Sequence, residues 1–333
     1  MSFKRFDTED IVISSDSITS PAWSNNAVTL TNFYTKGSQT GGTSGTYYWN
    51  MYNTDPTGST AAIQFSVAYG NRVGSGSVPY NSTVIGKSPS ATVYGQFRTL
   101  VNGDEDTNFT FVSASTSVTP DSVFFISVER GRFKEKILPG SLSLSLKGKD
   151  SGNTLALTDN SLTSSVDTFT DGGRVYPIYA GSNGVVTSNA IEYGKLFPDI
   201  GLIVLSGDQL RKHGHNFVTA IDTGIAPTTA NMNSLYRGLN SGSNFTLRSE
   251  ETLSSNYVFV RARNSEFNYS TNPSNITGSG ELRHSIMIDS PQSYVTSVGL
   301  YNDNNDLIAI SKLSSPLLKD FTKEALIRIK LDY

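Results

Sequence analysis

The feature of this sequence that most constrains its fold is a strict alternation of apolar and polar residues. SLSLSLKG, residues 141–148, has a leucine at every second position, and EALIRIKLDY, residues 324–333, alternates in the same way. Side chains of a β-strand point in turn to opposite faces of the sheet, whereas a helix repeats every 3.6 residues. Both stretches therefore predict strands with one face in a core. The expected inward residues are Leu142, Leu144 and Leu146, with the serines facing outward, and Ala325, Ile327, Ile329 and Leu331, with Leu326, Arg328 and Lys330 facing outward.

Shorter apolar runs between turn-forming residues predict the other strands. AAIQFSVAYG, residues 61–70, and DSVFFISVER, residues 121–130, are of this kind. Near the C-terminus, SYVTSVGLY and DLIAISKL flank NDNN. Because Asn and Asp tolerate the positive φ of tight turns, this arrangement predicts a β-hairpin over Tyr294–Leu313. We expect this hairpin and the strand at 325–331 to pair in one sheet.

Two segments follow the period of an amphipathic helix instead. KSPSATVYGQFRTLVN, residues 87–102, aligns Val93, Phe97, Leu100 and Val101 on one face. ANMNSLYRGLNSG, residues 230–242, does the same with Met232, Leu235, Tyr236 and Leu239. GRFKEK, residues 131–136, is compatible with one more helical turn. The predicted fold class is mainly β, with α+β as the alternative: antiparallel sheets, long loops and two or three short helices.

The composition narrows the classes of function. Charged residues make up 17% of the chain, against about 25% in ordinary soluble domains, and Ser, Thr, Asn and Gly replace them. A net charge of −3 without a basic stripe argues against a nucleic-acid partner. The lack of cysteine excludes disulfides and thiolate metal sites, and no apolar run of about 18 residues predicts membrane insertion. MSFKRFDTED turns acidic where a signal peptide needs an apolar stretch, so synthesis in a cytoplasm is expected.

Changes in composition divide the chain into three predicted regions. They are a loop-rich N-terminal arm at 1–58, a β-rich domain with one short helix at 59–210, and a second β-rich region at 211–333 that ends in the hairpin and strand. The arm is Gly/Ser-rich around residues 37–45 and then carries Tyr47, Tyr48, Trp49 and Tyr52. These aromatic residues either dock on their own domain as part of a surface loop or anchor the arm on a neighbouring subunit.

A second aromatic patch lies in EFNYSTNPS, residues 266–274. Phe267, Asn268, Tyr269 and Asn272 there are candidate interface residues, because aromatic rings concentrate in interface cores and asparagine satisfies backbone groups. The alternative is a loop that docks on the protein itself, with the same residues capping its own sheet.

Residue types that catalyse reactions or bind metals do not form a recognisable set. His213 and His215 can face one side of an extended segment, but a closed zinc site takes four ligands, and the third histidine is His284. The acidic stretch at 102–108 lacks the ligand pattern of a calcium loop, and IGKS at 85–88 lacks the first glycine of a phosphate-binding loop. The sequence predicts no enzyme, no metal and no cofactor. Paired carboxylates for glycoside cleavage stay open as an alternative, because such a pair is spatial.

Several stretches together resemble a family of virion structural proteins of contractile-tailed bacteriophages, especially T-even-like marine and jumbo myoviruses. The resemblance runs in order from about residue 61 to the end, with the C-terminal stretch most distinctive, and does not cover residues 1–60. The stretches are AIQFSVAYGNRVGSGS, VYGQFRTLV with FTF, FFISVERGRFKEKILPGSLSLSL, YGKLFPDIGLIVLS, VRARNSEFNYSTNPS and YVTSVGLYNDNNDLIAISKLSSPLLKDFTKEALIRIKLDY.

The resemblance implies a non-enzymatic particle component, of the tail or baseplate, with no catalytic residues to transfer. Its partners would be other virion proteins, with self-association in a symmetric ring as a further arrangement, and its location would be the virion. Two other classes stay open: a receptor- or glycan-binding tail fibre module, and a neck or head–tail connector protein.

Overall fold

The computed structural model describes residues 4–36, 48–74, 89–148, 154–164, 166–213, 225–270 and 272–332. The chain divides into two compact units. The central unit is Ile18–Glu251, and the terminal unit combines Met1–Ser17 with Thr252–Tyr333. The two boundaries expected from composition, after residue 58 and after residue 210, both fall inside the central unit.

Short strands make up most of the regular structure in the described residues, and few helices interrupt them. The strands are β1 (Ile11–Pro21), β2 (Thr29–Leu30), β3 (Tyr48–Tyr52), β4 (Ile63–Asn71), β5 (Phe111–Ser113), β6 (Thr116–Val118), β7 (Ser122–Val128), β8 (Lys136–Ile137), β9 (Ser143–Lys147), β10 (Thr154–Asp159), β11 (Thr168–Thr170), β12 (Gly173–Ser182), β13 (Val185–Ser188), β14 (Gly194–Phe197), β15 (Leu202–Ser206), β16 (Asn244–Thr246), β17 (Arg248–Ala262), β18 (Gln292–Tyr301), β19 (Leu307–Asp320) and β20 (Ala325–Asp332). The helices are α1 (Ser90–Asn102), α2 (Gly207–Lys212), α3 (Ile225–Gly242) and α4 (Ile286–Asp289), and 3-10 turns lie at Thr8–Asp10, Ser24–Asn26 and Arg130–Arg132.

The predicted fold class is confirmed. Among the described residues, strands account for 48% and helices for 16%, and the sheets are antiparallel. Helices α1 and α3 form at the two places that the helical period predicted. In α1, Val93 and Val101 are buried as expected, but Leu100 is exposed. The GRFKEK segment supplies a 3-10 turn at its start.

A curled half-barrel sheet forms most of the central unit. Its strand order is β2-β16-β9-β10-β12-β14-β15-β7-β4-β3, and β11 and β13 pair with β12. Strand β4 contributes side chains to both faces of this sheet, because successive side chains of a strand point in opposite directions. Phe65 and Val67 belong to a large core that includes Leu235 of α3, while Ala68 belongs to a second core that includes Val93 of α1. Helix α3 therefore packs on one face of the sheet and α1 on the other.

The serines of SLSLSLKG are buried, so the expectation that they face outward is wrong. Ser143 and Ser145 are only 2% and 9% exposed, although the leucines between them enter the core as predicted. Strand β9 lies between β16 and β10, and the amide nitrogen of Asn244 donates to the hydroxyl oxygens of Ser143 (3.2 Å) and Ser145 (3.4 Å). A Cβ atom at Gly242 would lie 1.9 Å from the Ser145 carbonyl oxygen, so the end of α3 also approaches this strand closely. Neighbouring elements therefore shield even the polar face.

Strand β20 pairs with β17, not with the C-terminal hairpin, so the expected three-stranded pairing is wrong. Val258 of β17 lies opposite Ile329 of β20, and β18 and β19 form a separate two-stranded sheet. The hairpin instead packs through Leu300 against Val258 and Ile329. The predicted faces of β20 are confirmed: Ile329 is buried and Leu326 is exposed. The alternation fixed which face is apolar, but not which strand lies alongside.

Candidate functional site

The described part of the predicted N-terminal arm belongs to the folded structure. Strand β3 pairs with β4, and Trp49, which is 3% exposed, packs in the large core with its ring 6.3 Å from that of Tyr236. The backbone of Tyr52 exchanges two hydrogen bonds with Tyr34, at 2.8 and 3.1 Å. Trp49 therefore cannot anchor a neighbouring subunit. These residues dock on their own domain, as the first alternative expected. Tyr48 is 46% exposed, and Tyr47 lies outside the described residues.

Most of the aromatic patch after β17 is also docked on its own unit. Asn268 is buried, its amide nitrogen donates to the Asn264 carbonyl oxygen (2.7 Å), and its amide oxygen accepts from Lys319 Nζ (2.7 Å). The half-buried Phe267 adopts a φ of 56°, and its carbonyl oxygen accepts from the Ser293 hydroxyl. These contacts match the self-docked alternative for this loop.

Two residues of that patch differ in their surroundings. The side-chain oxygen of Asn272 accepts from the backbone N–H of Ser274 at 3.1 Å, which is a local turn contact. Tyr269 is 63% exposed. Of the four candidate residues in EFNYSTNPS, Tyr269 is thus the one with a largely accessible ring.

Lys319 holds this loop in place, although no sequence pattern marks it as a functional residue. Its side chain is fully buried, and Nζ donates to the carbonyl oxygens of Asn264 (3.0 Å) and Asp320 (2.9 Å) as well as to Asn268. A buried lysine needs such partners, because an unsatisfied polar group in a protein interior is costly. The sequence around Lys319 alternates weakly and carries no signal for this role.

The candidate metal ligands do not meet in the described residues. No group of three or more His, Asp or Glu side chains there could hold a metal ion. His213 and His284 belong to different units, and His215 lies outside the described residues. Asp104 stabilises a turn: its carboxylate accepts from the backbone N–H groups of Thr107 (2.5 Å) and Asp106 (2.8 Å), and these hydrogen bonds lower the pKa of Asp104.

Glu192 is a buried carboxylate whose contacts are structural. Burial raises the pKa of Glu192, while Lys195, 3.9 Å away, and the backbone N–H of Val112, at 2.8 Å, act in the opposite direction. The hydrogen bond from Val112 ties β5 to the segment that precedes β14. A perturbed carboxylate is a candidate catalytic group when it faces a cleft. Glu192 does not line the cavity that lies beside α1.

Exposed apolar side chains are concentrated in the terminal unit. Of 23 large apolar side chains that are exposed among the described residues, 13 belong to this unit, which holds less than a third of the chain. They are Phe6, Ile11, Val12, Ile13, Tyr269, Ile288, Tyr294, Tyr301, Leu307, Ile308, Ile310, Phe321 and Leu326.

Four of these exposed residues lie near the turn of the β18–β19 hairpin, and we name them the hairpin patch: Tyr301, Leu307, Ile308 and Ile310. Gly299 lies opposite Ile310, and a Cβ atom at Gly299 would lie 2.9 Å from the ring of Tyr301 and 3.3 Å from a methyl group of Leu307. The missing side chain at Gly299 lets these apolar groups close over the hairpin. Ile308 and Ile310 are 67% and 61% exposed.

The central unit contains a cavity of about 460 Å³, which we name the sheet cavity, between α1 and the strands β3, β4 and β7. Two rows of residues cross its floor. One row is Tyr48, Ala68 and Phe125, and the next is Asn50, Ser66 and Ser127. Gln96 and Phe97 of α1 form one wall, and Ile63 and Glu129 lie at the far end of the strands.

No family model, curated protein or solved structure matches this chain. Among the described residues, no helix is long and apolar enough to cross a membrane.

Proposed function

We propose that this chain is a non-enzymatic structural subunit of a bacteriophage virion, located in the tail or baseplate of a contractile-tailed phage. Its terminal unit joins it to neighbouring virion proteins. The observation that carries this proposal is the concentration of exposed apolar side chains in that unit. Large exposed apolar patches on soluble proteins mark interaction surfaces.

The terminal unit combines this surface with a small core. Its hydrophobic cluster contains three buried residues, Val258, Leu300 and Ile329, with five partly buried residues around them. A small unit buries a smaller fraction of its surface than a large one and gains less stability from it. Binding of a partner to the exposed strands removes more apolar area from water, at roughly 25 cal/mol per Å². The terminal unit is thus suited to completion by a neighbour.

Strand β1 offers a second contact of a different type. In the described part of the chain it pairs with β17 and lies at the end of the strand order β1-β17-β20. Ile11, Val12 and Ile13 on this strand are 42%, 48% and 73% exposed. An exposed edge strand with apolar side chains is a template for pairing with a partner strand. We assign assembly contacts to this edge and to the hairpin patch.

The assignment to a phage particle is supported by the sequence resemblance from residue 61 to the end. That stretch includes the whole β18–β19 hairpin and β20, so the most distinctive part of the resemblance coincides with the exposed apolar strands. A neck or head–tail connector position is the second arrangement compatible with a bridging subunit. A comparison of density maps of particles with and without the chain shows whether it lies at the tail end or at the neck.

In the test, a phage that lacks this gene is complemented with a copy supplied in trans. The amount of the chain in purified particles is then measured by mass spectrometry. The variant carries Ile308→Asp and Ile310→Asp. The control carries Phe169→Asp and Val185→Asp, which are 67% and 65% exposed but lie in the central unit. Loss of two apolar anchors costs more than about 2 kcal/mol, so we expect incorporation of the hairpin variant to fall at least about tenfold.

The control variant should enter particles like the wild type, and both variants should melt like the wild type. Absence of the wild-type chain from purified particles contradicts the virion proposal. Equal incorporation of the two variants contradicts the role of the hairpin patch. The virion proposal itself is then judged by whether the wild-type chain is present in the particles.

A further inference from the structure

The sheet cavity has the features of a small-molecule site rather than of a packing defect. Its volume of about 460 Å³ lies within the roughly 300–1,000 Å³ typical of ligand pockets. It is built on three paired strands and one helix of the same unit. Such pockets combine apolar and aromatic walls with a few polar groups that fix the orientation of the ligand.

The depth of the cavity follows from the residues in its first row. Tyr48, Ala68 and Phe125 lie side by side on β3, β4 and β7. Because the alanine in the middle is small, it leaves a depression between two aromatic side chains. The Phe125 ring is stacked on Phe97 of α1, with centroids 4.2 Å apart and planes 12° from parallel. Tyr48 is 46% exposed and has a ring surface available at the rim.

The second row supplies hydrogen-bonding groups next to the aromatic row. Asn50, Ser66 and Ser127 cross the three strands, and the Ser66 hydroxyl donates to the Asn50 amide oxygen at 2.7 Å. This bond fixes the orientation of both side chains. Gln96 adds an amide from α1, and Glu129 adds a carboxylate at the end of β7.

The charge of the lining restricts the ligand. Among the described residues that line the cavity, Glu129 is the one charged side chain, and lysine and arginine are missing. A carboxylate without a neighbouring cation in the lining disfavours phosphate, sulfate and acidic sugars. An entirely apolar ligand would take the half-exposed side chains of Asn50, Ser66 and Ser127 out of contact with water and offer them no hydrogen bond in return, which is costly. The lining therefore suits a neutral ligand with one apolar face and many hydroxyl groups.

We propose that the sheet cavity binds a neutral saccharide. The apolar C–H face of a sugar ring stacks on Tyr48, and its hydroxyl groups bond to the second row, to Gln96 and to Glu129, whose carboxylate accepts from hydroxyl groups. The described residues that line this site belong to the central unit, whereas the proposed assembly contacts are assigned to residues of the terminal unit. The two proposals can therefore fail independently.

The test uses the full-length chain and saturation-transfer NMR with methyl glucoside, methyl galactoside and N-acetylglucosamine. Glucuronic acid is the charged probe, and adenosine is the planar aromatic probe. We expect saturation transfer to at least one neutral sugar, strongest at the ring C–H protons, and none to glucuronic acid. Tyr48→Ala should weaken this binding about tenfold, since a stacking contact contributes up to about 1.5 kcal/mol.

The matched control is Tyr34→Ala, because Tyr34 is 40% exposed in the same unit and lies outside the cavity. Its sugar binding should equal that of the wild type, whereas Glu129→Gln should bind neutral sugars less tightly. Melting curves check that all three variants are folded. The proposal is overturned if no neutral sugar binds, if Tyr48→Ala binds as well as Tyr34→Ala, or if glucuronic acid or adenosine binds as tightly as the neutral sugars.

Discussion

A single buried side chain can tie a strand to the segment that precedes it, and Tyr176 on β12 does so. It is 5% exposed, and its hydroxyl donates to the Asp167 carboxylate at 2.7 Å. Burial raises the pKa of Tyr176 to about 12, and the hydrogen bond to Asp167 and the negative charge of that carboxylate act in the same direction. The folded protein therefore holds this proton more tightly than the unfolded chain, in which a tyrosine titrates near about 10.

This pKa predicts a loss of stability at alkaline pH. A raised folded-state pKa contributes stability that is complete below pH about 10 and is lost as the pH rises through about 12. Tyr176→Phe removes the titrating group, so its melting temperature should fall less steeply than that of the wild type between pH 9 and 12. At neutral pH the variant should be less stable by about 1 kcal/mol, because the hydrogen bond is lost. If the melting temperatures of Tyr176→Phe and of the wild type fell equally steeply across this pH range, the raised pKa of Tyr176 would not be the cause of the alkaline loss of stability.

At the scale of single elements, a pattern of apolar residues has different consequences in different strands. In β20 the alternation yields one buried and one exposed face. In β9 the same alternation lies within the interior of a wide sheet, so leucines and serines are both buried. The position of a strand in its sheet therefore decides whether its polar residues reach water.

Ile329 on β20 gives a direct test of the terminal core. Ile329→Asp places a carboxylate where the side chain is 4% exposed, opposite Val258. Burying it unpaired costs several kcal/mol, a large part of a domain stability of about 5–15 kcal/mol. We expect an insoluble product, or a terminal unit that is cut rapidly in limited proteolysis.

The control for this test lies on the same strand. Leu326→Asp changes a side chain that is 66% exposed and should leave solubility and proteolysis unchanged. Equal behaviour of the two variants would show that β20 does not contribute a buried face.

At the scale of the whole molecule, the terminal unit is assembled from two segments far apart in sequence, whereas the central unit is one continuous stretch. The N-terminal residues contribute to both, because β1 spans the boundary between Ser17 and Ile18. The first 58 residues also supply Trp23, Phe33, Trp49 and Met51 to the large core of the central unit. A division of this kind cannot be recognised as a break along the chain.

Removal of residues 1–58 should therefore prevent folding. It takes four buried large side chains out of one core, at about 2–5 kcal/mol each, and β1 out of the other unit's sheet. We expect the truncated chain to be insoluble, while removal of residues 1–7, which precede the first 3-10 turn, should leave it soluble with a similar melting temperature. A soluble, cooperatively melting chain without residues 1–58 would contradict the place of these residues in the core.

Local sequence patterns are enough to predict the class of the fold, the positions of α1 and α3, the C-terminal hairpin, and the two faces of β20. These features depend on residues within one turn or one strand, where periodicity and turn chemistry act locally. Long-range packing pairs β20 with β17, covers β9 on both faces, and brings Asn268 to Lys319, 51 residues away. It also places Tyr48, and not Trp49, beside a cavity. An alternating pattern shows that a face is apolar, but many faces in the chain are equally apolar. Which of them meet is selected by the packing of the whole chain, because neighbours in space are distant in sequence.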